Sequence, residues 1–368
     1  MIIYYSMIGW IIITWIFSLC SPDLVYKMRG SRREVYFKYA LFTMAYIMII
    51  IGLRSSVGDT EAYIKIFNEL PTSISSAFSD EYTKDRGFFA LSILFKRFIS
   101  RDYTMWLLVI SCICGVAVAK TLKSFSENFF FSMYLFITMT HFVWMLNGMR
   151  QFIAVSLLFA NIALMRDRKF IKFLILTLIL STIHITAIIM IPFYFFATSE
   201  PWDKRFWLIL IAVMIAGMSI DRIANTFSYV LEDSAYEGYL EAAATTAGSN
   251  IIRTIVAAAP PVLALVCYKH IRSEKDRIIK ISTNMSFLSA VLYFASAQSG
   301  GVLVGRFPIY FDMYNLLLLP WLVENCFTKQ SKKIAYVILA IAYFAFFYSK
   351  VKIGMNMGYS SEFLGLNY

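Results

Sequence analysis

Charge is scarce in this chain, and so are the motifs of soluble catalysis. Only 15% of its 368 residues are charged while 59% are hydrophobic, against roughly 25% and 45–50% in a soluble domain. That balance excludes a soluble globular enzyme and a disordered tail alike. No P-loop, GxGxxG, HExxH or GxSxG occurs, so the phosphate-cradling, dinucleotide, zinc-protease and serine-hydrolase motifs have no footing. No Asp-x-Asp is present; the nearest approach, Glu274-Lys-Asp276, sits in a charge-rich stretch that reads as solvated. The five cysteines (Cys20, Cys112, Cys114, Cys267, Cys326) lie in or beside apolar runs without a CxxC or His/Cys zinc spacing. They read as packing or lipid-facing thiols. No repeat of 20–50 residues and no low-complexity tract appears, and no metal or cofactor is expected.

Long apolar runs fill the chain instead, at 2–20, 36–53, 103–119, 129–146, 150–165, 170–197, 206–220, 251–268, 281–298, 306–324 and 334–349. A bilayer span needs about 20 mostly apolar residues. The runs predict an all-α, polytopic transmembrane bundle that occupies residues 1–368 as a single integral-membrane domain and leaves no room for a separate soluble one. The first run has no basic flank before it and no cleavage site, and reads as a retained span. The net charge of +11 is spread in short basic blocks between the runs. This is the pattern of the positive-inside rule and not of a nucleic-acid partner.

The run at 170–197 is too long for one upright helix, and charge arithmetic divides it into two spans meeting at Ile183–His184. There are then about 12 spans with both ends outside. The inner loops 21–35, 120–128, 166–169, 198–205, 269–280 and 325–333 carry 19 Lys and Arg against 9 Asp and Glu, counting Glu324 at a span mouth. The outer segments carry 13 of each. A single span there would turn the five basic residues of 269–280 outward, against the rule. Two longer outer loops are expected at 54–102 and 221–250. Within the first, residues 88–99 are too short to span and carry Lys96 and Arg97, so they read as an interfacial helix.

Polar groups at membrane depth cost roughly 2.5–3.5 kcal/mol each on insertion scales, which makes them functional candidates. In this topology they gather at the outer face: Arg54, Asp59, Asn147, Arg150, Gln151, His184, Arg253 and Arg306. Asn147, Arg150 and Gln151 share a helix face if that helix reaches back to 147, and Arg306 and Tyr310 form an i, i+4 pair. Arginine remains charged and grips phosphate with a bidentate fork, so the cluster suits an anion. His184 is one of three histidines, beside His141 and His270, and its imidazole titrates near neutrality. It reads either as a packed ring or as a general base. Asp59 reads as a helix N-cap, as a base, or as both. Asp312, inside a run, is expected to be hydrogen-bonded within the bundle.

These residues fall into an ordered pattern: Arg54-x3-Gly58-Asp59-Thr60-x2-Tyr63-x3-Phe67, Asn147-Gly-Met-Arg150-Gln151-x2-Ala154, His184-x2-Ala187-x4-Pro192 and Arg306-x3-Tyr310-Phe311. Together, on this hydropathy profile and over about 40–325, the four resemble the EpsG-like family. Its members are multi-pass bacterial proteins of exopolysaccharide and O-antigen clusters, grouped with Wzy-type polymerases. One departure stands out: where the family often has a Glu-Pro type motif, this chain has Asp85-Arg86-Gly87-Phe88, so a role for that Glu would pass to Asp85.

The resemblance implies a GT-C-like membrane glycosyltransferase of the bacterial cytoplasmic membrane, with its site facing the periplasm or exterior. Such an enzyme joins polyprenyl-diphosphate-linked oligosaccharide repeats, donor and acceptor, among membrane lipid, and works with a chain-length regulator protein. The residues fit that expectation. His184, Asp59 or Asp85 would serve the acceptor hydroxyl. Arg54, Asn147, Arg150, Gln151, Arg253, Arg306 and Tyr310 would hold diphosphate and glycan. Two other readings compete, a lipid-linked oligosaccharide flippase and a membrane O-acyltransferase of glycans. Transporter sites favour the midplane and arise from repeats, whereas these candidates lie toward one face of a chain without repeats.

Overall fold

The computed structural model describes residues 1–29, 32–73, 76, 84–219, 251–298, 305–354 and 357–367. The expected outer loop at 221–250 lies outside the described residues. The described residues form two compact units, 1–191 with 337–368, and 192–336.

In the first unit the apolar runs become helices at nearly the expected places. They are α1 (Ile2–Cys20), α2 (Phe37–Gly52), α3 (Thr60–Glu69), α4 (Arg86–Phe98), α5 (Tyr103–Phe125), α6 (Phe129–Thr138), α7 (Met149–Ala160) and α8 (Phe170–Ile183). Helix α4 is the short amphipathic segment anticipated at 88–99. Helices α2 and α5 pack backbone to side chain because small residues face the seam. A Cβ on Gly52 would come within 2.7 Å of Leu108, and one on Gly115 within 2.4 Å of Met48. Ser111 Oγ closes the seam by donating to Met48 O at 2.8 Å. In a membrane, where burial against lipid gives no drive, such close contact and hydrogen bonding hold helices together. Helix α1 joins through Tyr39 OH donating to Thr14 O at 2.7 Å and Trp10 Nε1 donating to Thr43 O at 3.1 Å.

The second unit contains α9 (Met190–Ala197, whose first two residues precede the boundary), α10 (Lys204–Met218), α11 (Ile251–Val266), α12 (Arg277–Gln298) and α13 (Asn315–Cys326). Its centre is α12, which packs against α10, α11 and α13. Asn284, buried on α12, donates from Nδ2 to Phe196 O, Ala197 O and Ser199 O, carbonyls at and just past the end of α9. Asp312 accepts from Ser289 Oγ at 3.1 Å and Asn315 Nδ2 at 2.8 Å, an internally hydrogen-bonded carboxyl. The last helix, α14 (Lys329–Tyr348), begins in this unit and ends in the first.

Four helices among the described residues are long and apolar enough to cross a membrane: those starting at Ile2, Tyr103, Arg277 and Lys329. The first and last are the least buried of the four and the third the most, so the third is the one that forms a core. Six further apolar helices are shorter, at 10–17 residues. The chain is an all-α membrane protein with one modification that periodicity missed. Among the described residues two small antiparallel strand pairs occur, Tyr26–Arg29 with Arg32–Val35 and Ser360–Ser361 with Leu366–Asn367. Strands of two to four residues are too short to show an alternating pattern.

Candidate active site

The 170–197 run breaks at His184. Helix α8 stops at Ile183, His184 takes an extended conformation (φ −152°, ψ 117°), and a 3₁₀ turn follows over Ile185–Ile189. The break frees the Ile185 N–H from the helix ladder, and it donates to Asp85 Oδ1 at 3.2 Å. The other oxygen of the same carboxylate, Oδ2, meets His184 Nδ1 at 3.2 Å and accepts from Arg150 Nη1 at 2.9 Å. Two stretches far apart in sequence thus converge on one carboxylate whose side chain is only 6% exposed.

Asp85 holds its place by a strained backbone. It occupies the N-cap position of α4 with φ 54° and makes no side-chain capping bond. A left-handed non-glycine residue costs of order 1–3 kcal/mol and persists where its surroundings over-determine it. The helix it starts is pressed onto α8, since a Cβ on Gly87 would lie 2.2 Å from Thr182 Oγ1. That contact brings the start of α4 to the end of α8, where His184 waits.

A carboxylate only accepts hydrogen bonds, so His184 Nδ1 is the donor to Asp85, and in the neutral form of the ring Nε2 carries the lone pair. Among the described residues Nε2 has no hydrogen-bond partner, and the side chain is 16% exposed. Arg150 spends one of its five donors on Asp85, and its side chain is 29% exposed. Its guanidinium lies 5.9, 5.7 and 5.9 Å from the ring centres of Tyr63, Phe88 and Phe89. Rings at that range attract a cation and restrict its side chain. The result is a guanidinium held among rings, with donors to spare, beside an imidazole whose Nε2 is not engaged by any described residue.

A second cluster binds the loop after α2 to the turn before α7. Asp59 N donates to Asn147 Oδ1 at 2.8 Å, and Gly148 N donates back to Asp59 Oδ2 at 3.2 Å. The approach requires Gly58, at φ +55°, where a Cβ would fall 1.9 Å from Asn147 Oδ1. Asp59 does stand at the N-cap position of α3, yet its carboxylate caps the start of α7 instead. Helix α7 begins only at Met149, after a left-handed Gly148 (φ 76°), so Asn147 does not share the helix face of Arg150 and Gln151. Gln151 is buried. Arg54 is 1% exposed and its donors turn inward, Nε to Thr60 Oγ1 at 2.8 Å, Nη1 to Ile51 O at 2.6 Å and Nη2 to Met149 Sδ at 3.5 Å. Lys96, on α4, donates to Phe67 O, Asn68 O and Leu70 O and so caps the end of α3. Burial, followed by the charge of Arg101, lowers the pKa of this ammonium below its ordinary value.

Arg253, Arg306 and Tyr310 belong to the second unit. Arg253 lies 5.0 Å from the centre of the Tyr293 ring. Arg306 is exposed and Tyr310 is buried, and the i, i+4 register expected between them is interrupted. The chain turns at Phe307–Pro308 before a short helix, Ile309–Asp312, starts afresh. Proline supplies no N–H to continue a ladder. His141 is a buried ring stacked on Phe136 at 6.4 Å. Among the described residues no group of three or more His, Cys, Asp or Glu could hold a metal ion.

Reading single residues did not mark out Phe88 and Phe89 or the Ile185 N–H as parts of this site. Phe88 and Phe89 lie three and four residues after Asp85, in the first turn of the helix it starts, and that spacing was the available signal. Comparison with curated proteins and with solved structures finds no match. The family comparison does: residues 36–361, which include every site residue named above, match the EpsG family, and the chain belongs to that family.

Proposed function

We propose that this membrane protein polymerises polyprenyl-diphosphate-linked oligosaccharide repeats by glycosyl transfer at the outer face of a bacterial cytoplasmic membrane. The observation that carries this reading is the convergence of Arg150, His184 and the Ile185 N–H on Asp85. In the proposed step the acceptor hydroxyl loses its proton to His184 Nε2 as its oxygen bonds to the donor's anomeric carbon. The bond from that carbon to the diphosphate oxygen breaks, and polyprenyl diphosphate leaves with the electron pair. Asp85 keeps the imidazole in the required tautomer and favours the imidazolium that forms. Arg150 offers its remaining donors to the departing diphosphate, where a placed cation counts most.

The polar contacts within each unit support a two-sided arrangement. In the first unit, residues 54–60, 85, 147–150 and 184–185 contact one another. The segment 21–35 contacts Lys123, through Glu34, and Arg166 lies over Phe125. In the second, Lys280 pairs with Glu200 at 2.7 Å. Each contact joins segments that the charge pattern assigns to the same side. The exterior assignment of the site follows from the excess of Lys and Arg in the opposite set.

Comparison of lipid-linked glycans in a strain lacking this protein tests the reading. A polymerase loss leaves single repeats on the outer side of the membrane. Single repeats retained inside would identify a flippase, and full-length chains lacking acyl groups would identify an O-acyltransferase.

A further inference from the structure

Helix α2 ends at the loop that carries Arg54 and Asp59, and its last carbonyls need partners. Ile49 O is met by Leu53 N and Ile51 O by Arg54. Two more partners, for Ile50 O in the helix and Leu53 O just past it, come from residues 359–361. Tyr359 OH donates to Ile50 O at 2.8 Å, and Ser361 Oγ donates to Leu53 O. The same segment then pairs with the loop itself. Ser55 N donates to Ser360 O at 2.8 Å, Ser360 N donates to Ser56 O at 3.0 Å, and Glu362 N donates to Ser55 Oγ at 2.8 Å. Tyr359 is 1% exposed, and the segment is closed by its own hairpin.

The geometry points to a positioning role: residues 359–362 form a strap that sets the loop 53–60, and through it the placement of Arg150. The route consists of direct contacts. The loop delivers Asp59 to Gly148, the residue that starts the helix of Arg150. The loop also starts α3, which supplies the Tyr63 ring beside the Arg150 guanidinium. The strap touches none of the reacting groups itself. The catalytic consequence rests on the polymerase reading above, whereas the mechanical one does not.

Tyr359→Phe combined with Ser361→Ala removes two hydroxyl contacts to α2 and its exit, together with the acceptor of Leu364 N, while leaving the backbone pairing of Ser360 with Ser55 and Ser56 in place. The full-length double variant and the wild type, reconstituted in lipid nanodiscs, are compared by hydrogen exchange and by initial polymerisation rate against donor lipid concentration. Each lost hydrogen bond is worth roughly a fivefold change in an opening equilibrium, so exchange at 53–60 and at 145–150 should rise by about twenty-five-fold. Helices α1 and α5 should exchange as in the wild type. The KM for donor lipid should rise about tenfold while the melting temperature falls by only a few degrees. Restoring the hydroxyl as Ser361→Thr, with Tyr359 intact, should recover both readouts. Unchanged exchange at 145–150 overturns the inference, and so does uniform loss of protection with a parallel loss of melting temperature, which would mark the segment as a general stabiliser. Faster exchange at both places with no polymerisation by the wild type would sustain the strap and refute the polymerase reading.

Discussion

Replacing Asp85 with asparagine isolates the charge and acceptor pattern at the centre of the site. The substitution is nearly isosteric, and asparagine tolerates the left-handed region (φ 54° here) more readily than most residues, so the backbone has no reason to move. What changes is the atom facing Arg150 and His184. Oδ1 has to remain an oxygen, because it accepts the Ile185 N–H at 3.2 Å. The new NH2 therefore replaces Oδ2 and turns a donor toward Arg150 Nη1 and His184 Nδ1. Arg150 loses its acceptor. His184 adopts the other tautomer, with its proton on Nε2, and no longer takes one from a hydroxyl. General-base catalysis contributes typically 10²–10⁴-fold, equivalent to about 3–5 kcal/mol of barrier. A hydrogen bond to a charged group is worth about 1.5–3 kcal/mol when buried. The 29% exposure of Arg150 moves its share toward the low end. The expected result is a 10²–10⁴-fold fall in polymerisation rate at constant protein level, read from the glycan ladder made by purified protein on lipid-linked repeats. An Asp85→Asn variant within about threefold of wild type would refute the reasoning.

Three further outcomes follow from the same geometry. Arg150→Lys should fail nearly as badly as Arg150→Ala at equal membrane levels, because an ammonium cannot both hold Asp85 and present a bidentate fork; a Lys variant at wild-type rate would show that charge alone suffices. Gly58→Ala should lower the melting temperature by an amount corresponding to about 1–3 kcal/mol, since its Cβ meets Asn147 Oδ1 at 1.9 Å on a backbone at φ +55°; an unchanged melting curve would contradict the tight approach of the two loops. A single cysteine at Ser273 in a cysteine-free background should resist an impermeant reagent added to intact spheroplasts, and labelling there would invert the proposed orientation.

Much of the helical framework was legible because long apolar runs translate directly into helices. The break at His184 was legible too: for the 170–197 run, the basic residues of 269–280 favoured two segments over one long tilted span. What the sequence concealed is chiefly non-local. Asp85 lies 65 residues from Arg150 and 99 from His184, and no local signal records pairings at such separations. The family pattern pointed to Asp85, but its partners emerged only from the fold. Helix-face arguments failed where a single residue interrupted the register: Gly148, left-handed, moves Asn147 off the face of Arg150, and Pro308 separates Arg306 from Tyr310. Arg54 illustrates a different limit. Its charge at a span end suggested an outward-facing ligand group, whereas its guanidinium is directed at Thr60, Ile51 and Met149. Side-chain direction at a helix end depends on the loop that follows, and the spacing of apolar residues does not encode it.

The central claim is that His184 Nε2 accepts the acceptor's proton during glycosyl transfer. Purified wild-type and His184→Gln proteins in proteoliposomes, supplied with the native lipid-linked repeat, test it most directly. Glutamine preserves a hydrogen-bonding side chain but takes no proton near neutral pH. The account predicts a polymer ladder from the wild type and, from the Gln variant at equal folded protein, a rate lower by about 10²–10⁴-fold. A ladder formed by the Gln variant at close to the wild-type rate would contradict it.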